Sequence, residues 1–337
     1  MAMLPVALVQ ARAVPLDVGR GIERATDAAA AAVAKGARLV GFGETLLGGY
    51  PIWLDEAPGA ALWDHPGTQA LHRILLEQAV VEGDPRFAAM QALADDNDAV
   101  ICIGAHQRVR SSLYNSQWIF RKDARPLVRR KLVPTHGERL VWMRGDGSTL
   151  GVHRAGFGKV STLMCWEHWM PLARAAMHAQ GSAVHVAAWP TVRDAYLIAS
   201  QHYAFEGRAF VLAAGTVMHR QDLMDGLAGV GGHNDAKALF DTIPDGPLQH
   251  GASAIIAPDT SVVGERAGAE ETTLFADLDL DMREHALASL DTDGHYSRPD
   301  VFELSVNTRA TPGVRFSADE ARGELDVNGP AELADRP

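Results

Sequence analysis

Cysteine is scarce in this chain: the 337 residues contain two, Cys102 and Cys165. So few thiols argue against a disulfide framework and for a reducing compartment, which makes a cytoplasmic location the expectation. Positive charge is also in deficit, with 31 Lys and Arg against 42 Asp and Glu and a formal charge of −11. Such a balance repels phosphate backbones and anionic lipid, so neither nucleic acid nor a membrane is an expected partner. Long apolar runs are missing as well. The opening MAMLPVALVQARAVP is too short in its apolar part to span a bilayer, lacks a basic leader and is interrupted by Pro5 and Pro15, so it reads as a first strand. Internal repeats and linkers are absent, which favours one domain over residues 1–312, followed by a charged, weakly patterned and mobile tail over 313–337.

What is present is ample apolar material, 47% of the residues, in two alternating periodicities. VALVQ reads as a strand, followed by a helix over 18–35 with Ile22, Ala25, Ala29 and Val33 on one face and Gly36 as its stop. RLVGFGE is the next strand. Thr68 is positioned to cap a helix through residue 81, and Asp84 with Pro85 to start another ending near Asn97. AVICIGAHQ, LYNSQWIFR and PLVRRKLV then read as strands almost without a helix between them. A helix over 171–180, the strand AVHVAAW, a helix from Asp194 to Gly207 and the strand AFVLAAGTV restore the alternation. Residues 218–250, glycine-rich and polar, read as a long active-site loop, and ASAIIAPDTSVVGER with TLFADLDL as a terminal hairpin-like pair. Together these runs suggest a layered α/β sandwich with helices outside mixed sheets.

Cys165 is the most informative residue. It ends the strand-like run GKVSTLM and precedes a helix that begins at Pro171, with Leu172, Ala175, Ala176 and Ala179 at helical spacing. A side chain on a strand-to-helix turn is presented above the sheet edge, where nearby amides and a helix N-terminus favour a thiolate and a developing oxyanion. A free cysteine is otherwise usually a small buried hydrophobe, and Cys102, inside an apolar strand without charged neighbours, reads that way.

Glu44 directly follows an apolar strand, a placement that raises a carboxylate's pKa by desolvation and suits it to take a proton near neutral pH. Lys131 closes the strand PLVRRK, where it could lower a thiol's pKa and hold developing negative charge. Glu138 lies seven residues on, across PTHGER, in reach of that lysine. Their ordinary alternatives are a turn cap, a solvated basic edge and a surface ion pair contributing about 0–1 kcal/mol.

This set of residues resembles the nitrilase superfamily of carbon–nitrogen hydrolases, and its nitrilase branch in particular. The resemblance rests on FGETLLGGYP at Glu44, RRKLVPTHGER at Lys131 and Glu138, MCWEHWMPLAR at Cys165 and GHYSRPDVF near the carboxyl end, in the family's order over roughly residues 4–305. It implies a four-layer αββα sandwich that dimerises to αββα–αββα and extends into spiral homo-oligomers, with neither cofactor nor metal. It also implies catalytic roles for Glu44, Lys131, Glu138 and Cys165. Gly43 and Gly48 stand where the family often has proline, which alters loop stiffness and not chemistry.

The chemistry implied is attack by the Cys165 thiolate on a nitrile carbon, with Glu44 as base and Lys131 stabilising charge, through a thioimidate and then a thioester to the carboxylic acid and ammonia. Tyr50, Trp53, Trp166 and Trp189 are candidates to line an aromatic pocket, which with the CWEH context suggests an aromatic or arylacetonitrile substrate. His168 reads as a packing or hydrogen-bonding residue and not as a base. An amidase or carbamoyl hydrolase of the same superfamily, or a cyanide-degrading enzyme, is the alternative. A metal-dependent hydrolase is disfavoured, since His153, His168, His178 and His185 fit no ligand motif.

Overall fold

In the computed structural model, which describes residues 3–311, the alternating runs form strands and the alanine-rich stretch forms the first long helix. Asp17 caps that helix, Val18–Ala34, by accepting from the Arg20 amide at 3.0 Å, and its inner face buries Ile22, Ala25 and Ala29. Gly36, at φ +95°, turns the chain away.

Two sheets carry the fold. The larger runs in the order Thr272–Asp279, Met3–Gln10, Leu39–Phe42, Val100–Val109, Leu47–Gly48, Val14–Pro15, with Ser112–Phe120 also paired to Val100–Val109 and Leu127–Arg130 beyond it. The smaller runs Ala254–Ile256, Phe210–Ala214, Val184–Ala188, Gly158–Met164, His153–Ala155. Because strand side chains alternate, each sheet has two apolar faces to cover. Leu4, Val6, Leu8 and Val100 of one sheet meet Val160, Val186 and Leu212 of the other in a shared core, which also holds the fully buried Cys102. The far face of the larger sheet, with Val9, Val40, Ile101 and Ile103, packs on helices Val18–Ala34, Pro66–Gln78 and Ala88–Asn97. The far face of the smaller, with Leu163, Ala187 and Val211, packs on Pro171–His178 and Asp194–Gly207. The layers are helix, sheet, sheet, helix, the αββα sandwich.

One irregularity positions the site. Register pairs Gly41 with Cys102 and Leu47 with Ala105, so six steps of one chain oppose three of the other and residues 43–46 loop out at the sheet edge. Gly104 permits the loop to lie flat, since a Cβ there would stand 2.3 Å from the Thr45 nitrogen and 2.6 Å from the Gly43 oxygen. Glu44 sits on this loop.

Several sequence expectations are corrected. The helix expected to start at Thr68 starts at Pro66 and ends at Gln78; the His65 ring nitrogen accepts from the Gly67 amide at 3.1 Å, while Thr68 donates to the Ala60 carbonyl. Residues 218–250 are not an open loop: helices Arg220–Gly229 and Asn234–Phe240 fill most of the segment, burying Leu223, Leu227, Leu239 and Phe240 against the core. The terminal hairpin does not form either. Ala254–Ile256 pairs with Phe210–Ala214, while Thr272–Asp279 runs antiparallel to Met3–Gln10. The charged tail, 313–337, lies outside the described residues.

Candidate active site

Glu44, Lys131, Glu138 and Cys165 converge beyond the strand ends, and all four are buried. Lys131 follows the strand Leu127–Arg130, and its amide donates to the Asn115 carbonyl at 2.9 Å. Its ammonium donates to Glu44 Oε1 at 2.8 Å and to both oxygens of Glu138 at 2.9 and 2.7 Å. Glu138 lies on the short 3₁₀ turn His136–Leu140 and is held by the Thr135 amide at 2.8 Å and the Tyr50 hydroxyl at 2.9 Å. Acceptor atoms of Glu44 and Glu138 and the Cys165 sulfur all fall within 4.8 Å of one another. Those three groups could ligate a cation, but the Lys131 ammonium already bridges the two carboxylates. Among the described residues this is the one such grouping of acid, thiol or imidazole ligands, and it contains none of the histidines.

Cys165 is 4% exposed and has φ +50°, left-handed backbone that a non-glycine residue adopts at a cost of about 1–3 kcal/mol. The strand Gly158–Met164 ends immediately before it, and a 3₁₀ turn over Cys165–Trp169 leads into the helix. This sharp reversal turns the sulfur into the cluster, with the Trp166 amide donating to it.

The electrostatics follow from one cation shared by two carboxylates in a dry site. Burial pushes the Glu44 carboxyl up from 4.5 to about 7; Lys131 opposes the shift and Glu138 adds to it. Asn115 donates to Glu44 Oε1 at 2.6 Å, while Glu44 Oε2 is buried with no hydrogen-bond partner and is the free basic position. Burial alone would lower the Lys131 ammonium, but Cys165, Glu44 and Glu138 around it raise it above its ordinary value, so it stays charged. The thiol differs from the sequence expectation. Burial first, then Glu44 and Glu138, raise Cys165 well above its usual range despite Lys131, so it rests protonated and needs a base.

A second buried pair braces the site, and sequence reasoning missed it. Glu167 Oε1 accepts from Arg129 Nη2 at 2.5 Å and from the Leu132 amide at 2.7 Å, while Oε2 accepts from the Met164 amide at 2.8 Å. One carboxylate therefore ties the residue before the cysteine to the residue after the lysine. The only signal for it was an acid inside CWEH and an arginine inside RRK. Asn115 was missed too, its strand having shown nothing beyond alternation. His168 is a hydrogen-bonding residue, as expected, with Nδ1 at 2.7 Å from the Cys165 carbonyl.

A cavity of about 300 Å³ opens onto the cluster, with Cys165 and Glu138 at its floor. Tyr50, Trp166, Tyr196, Ile52 and Leu248 give it an apolar and aromatic wall, and Asp55, His136 and Arg193 add charge and polarity. Of the four expected aromatics, Tyr50 and Trp166 line it and the other two do not. Trp53 is buried against Phe240 at 5.8 Å, and Trp189 is buried between Tyr196 and His168, stacked at 4.6 and 4.7 Å. The segment expected as an active-site loop contributes only Leu248 and Gln249, at its end. Another cleft of about 340 Å³, lined by Arg12, Arg24 and Glu271 among others, holds none of the four clustered residues.

An αββα sandwich with a cysteine, a lysine and two carboxylates gathered at its strand ends defines a hydrolase of carbon–nitrogen bonds. The chain belongs to the carbon–nitrogen hydrolase family, whose model matches residues 5–286. It is 34% identical to an arylacetonitrilase of Aspergillus kawachii, over 95% of this chain and 97% of that protein. It is also 34% identical to an aliphatic nitrilase of Sinorhizobium fredii, over 91% and 96%, and 33% identical to nitrilase 2 of Arabidopsis thaliana, over 95% and 94%. In fold it resembles a carbon–nitrogen hydrolase from Helicobacter pylori, with TM-score 0.63 and 19% identity over 88% of this chain and 98% of that one.

Proposed function

We propose that the protein hydrolyses an organic nitrile to the carboxylic acid and ammonia, with Cys165 as nucleophile, Glu44 as base, Lys131 as the charge-stabilising group and Glu138 as the group that orients Lys131. The observation that carries this reading is the Lys131 ammonium held between two carboxylates within 4.8 Å of the sulfur. Glu44 takes the thiol proton, the thiolate adds to the nitrile carbon, and Glu44 passes that proton on to the nitrogen, so that a thioimidate forms and the carboxylate is regenerated. Lys131 holds the charge that develops on that nitrogen. Glu44 then deprotonates an entering water; the tetrahedral adduct expels ammonia and leaves a thioester, which a second water hydrolyses to release the acid and restore the thiol.

Nitriles are favoured over amides because the relatives sharing a third of the residues are named as nitrilases. The aryl preference rests on Tyr50, Trp166 and Tyr196 around the cavity. We further propose a homodimer extending to a spiral oligomer, since Leu172, Ile198 and Phe205 on the outer helices, with Trp169 just before one of them, expose apolar surface. Two free cysteines accord with the reducing, cytoplasmic setting proposed for it.

The test is ammonia, acid and amide measured from phenylacetonitrile, benzonitrile, mandelonitrile, an aliphatic dinitrile, cyanide and the matching amides, with Cys165→Ala as control. Turnover of an arylacetonitrile that vanishes in the control is expected. Activity on amides alone would move the protein to the amidase reading, on cyanide alone to the cyanide-degrading one, and turnover retained by Cys165→Ala would remove the cysteine from the chemistry.

A further inference from the structure

Behind the cysteine lies a chain of buried polar groups that the proposed reaction does not use. His168 Nδ1 meets the Cys165 carbonyl at 2.7 Å, and His168 Nε2 meets His185 Nε2 at 3.0 Å. His185 Nδ1 meets Ser161 Oγ at 2.7 Å, and Ser161 Oγ lies 2.9 Å from Ser182 Oγ. All four side chains are buried in the layer between the smaller sheet and its outer helices.

The proton positions in this chain follow by elimination. A carbonyl only accepts, so His168 Nδ1 carries the hydrogen. Were His168 a cation, its Nε2–H would face His185, which would then have to accept at Nε2 and donate at Nδ1. Burial opposes that cation most strongly; the Cys165 carbonyl and Glu167 favour it, while Arg174 and Arg129 add to the penalty. In the neutral form His168 Nε2 accepts from His185 Nε2–H, which leaves His185 Nδ1 as the acceptor that faces the Ser161 hydroxyl at 2.7 Å. Burial first, then His168, His178 and Arg129, disfavour the charging of His185 too. The rings are clamped as well: His168 stacks on Trp189 at 4.7 Å, His185 on Tyr203 at 3.9 Å, and Arg174 donates to the His168 carbonyl at 3.0 Å.

This chain cannot relay a proton to the sulfur, because it ends on a carbonyl oxygen, which has none to pass. What it fixes is the peptide of a residue held at φ +50°. We propose that His168 is a positioning residue, whose Nδ1–H, with its ring held by His185, bonds the Cys165 carbonyl and holds that backbone in the left-handed conformation that aims the sulfur into the cluster. The inference rests on the reading of Cys165 as nucleophile.

Substitutions at His168 separate positioning from bulk. Asparagine carries its amide nitrogen where Nδ1 sits, one bond from Cγ, whereas glutamine places it nearer Nε2, and leucine has no donor. His168→Leu and His168→Gln are expected to lower kcat by about tenfold or more, the scale of one hydrogen bond, with KM within about twofold. His168→Asn is expected to recover kcat to within about threefold of wild type. Alkylation of Cys165 by iodoacetamide, with Cys165→Ala as blank, should slow in the same order. In ¹⁵N-histidine-labelled wild-type protein, His168 should show the neutral Nδ1–H form and His185 the neutral Nε2–H form between about pH 5 and pH 9. Wild-type kcat and alkylation rate in His168→Leu, equal recovery by glutamine and asparagine, or titration of His168 in that range would overturn the proposal. If wild type turns over no nitrile or amide, the functional reading fails, while the alkylation series and the tautomers still decide the role of His168. If His168→Leu does not fold, the glutamine and asparagine variants and the wild-type tautomers decide it.

Discussion

A carboxylate that is wholly buried, touches a lysine and keeps one oxygen unpartnered has to balance two demands. In the proposed reaction Glu44 must be anionic to accept the thiol proton, yet burial favours its neutral form and pushes it to about 7. The reactive form is the deprotonated one, so kcat/KM is expected to rise as pH approaches about 7 and level off above it, falling by about tenfold per unit well below that value. A pH–rate profile on a turned-over nitrile checks this, and a flat profile from about pH 5 upward would contradict the assignment of Glu44 as base. Lys131 contributes charge and not a titration, since its neighbours keep it protonated. Lys131→Ala should therefore lower kcat by at least about 10²-fold with little change in the shape of the profile. A rate near wild type would remove it from the chemistry.

At the scale of elements, the sandwich positions the cluster by ending several strands at one edge, and the Arg129–Glu167 pair pins two of those ends together. Breaking such a pair leaves a charge buried without a partner. Glu167→Leu is expected to destabilise the protein by about 3–5 kcal/mol, and Arg129→Met by a similar amount, whereas the double variant should recover much of the loss. Denaturant midpoints of the three variants measure this; additive losses would mean that the pair does not act as a unit. The pair also marks where reading the sequence stops. That Glu44, Lys131 and Cys165 lie at strand ends was legible because each follows a strand with clear alternation, a local signal. Glu167 and Arg129 meet across 38 residues of sequence and sit beside residues that already accounted for their motifs. Long-range strand pairing is equally silent: Met3 pairs with Asp279, and nothing in TLFADLDL names that partner over the nearer strand Ala254–Ile256. Helices Arg220–Gly229 and Asn234–Phe240 were hidden by Gly226, Gly229, Gly231 and Gly232, which read as loop until their apolar residues are seen buried. Trp53 and Trp189 were misplaced for the converse reason. Proximity to a motif in sequence does not say on which side of the sheet a side chain lies.

The whole molecule carries an asymmetry between its two outer layers. On the helix Asp194–Gly207, Ala199, Tyr203 and Ala204 are buried against the sheet, yet Ile198 on the outside is 60% exposed and Phe205 is also open. The neighbouring helix Pro171–His178 exposes Leu172 to 69%, with Trp169 just before it. A surface helix facing water would carry polar residues at these positions, and an apolar patch spread over two adjacent helices is the mark of a covered surface. Wild-type protein is therefore expected to sediment as a dimer or larger species, and Leu172→Asp with Ile198→Asp to sediment as a folded monomer. The same helix carries Tyr196, whose hydroxyl lies 3.4 Å from Trp166 Nε1 across the cavity wall. A second copy covering its outer face would hold that wall in place, and a shift of about 1 Å near reacting atoms can cost about 10²-fold in rate. The monomeric variant should thus lose at least about tenfold in kcat/KM while keeping its circular dichroism and its thermal transition. A wild-type monomer at the concentrations of the assay would refute the interface. A monomeric variant with full kcat/KM would show instead that the cavity wall stands without its partner.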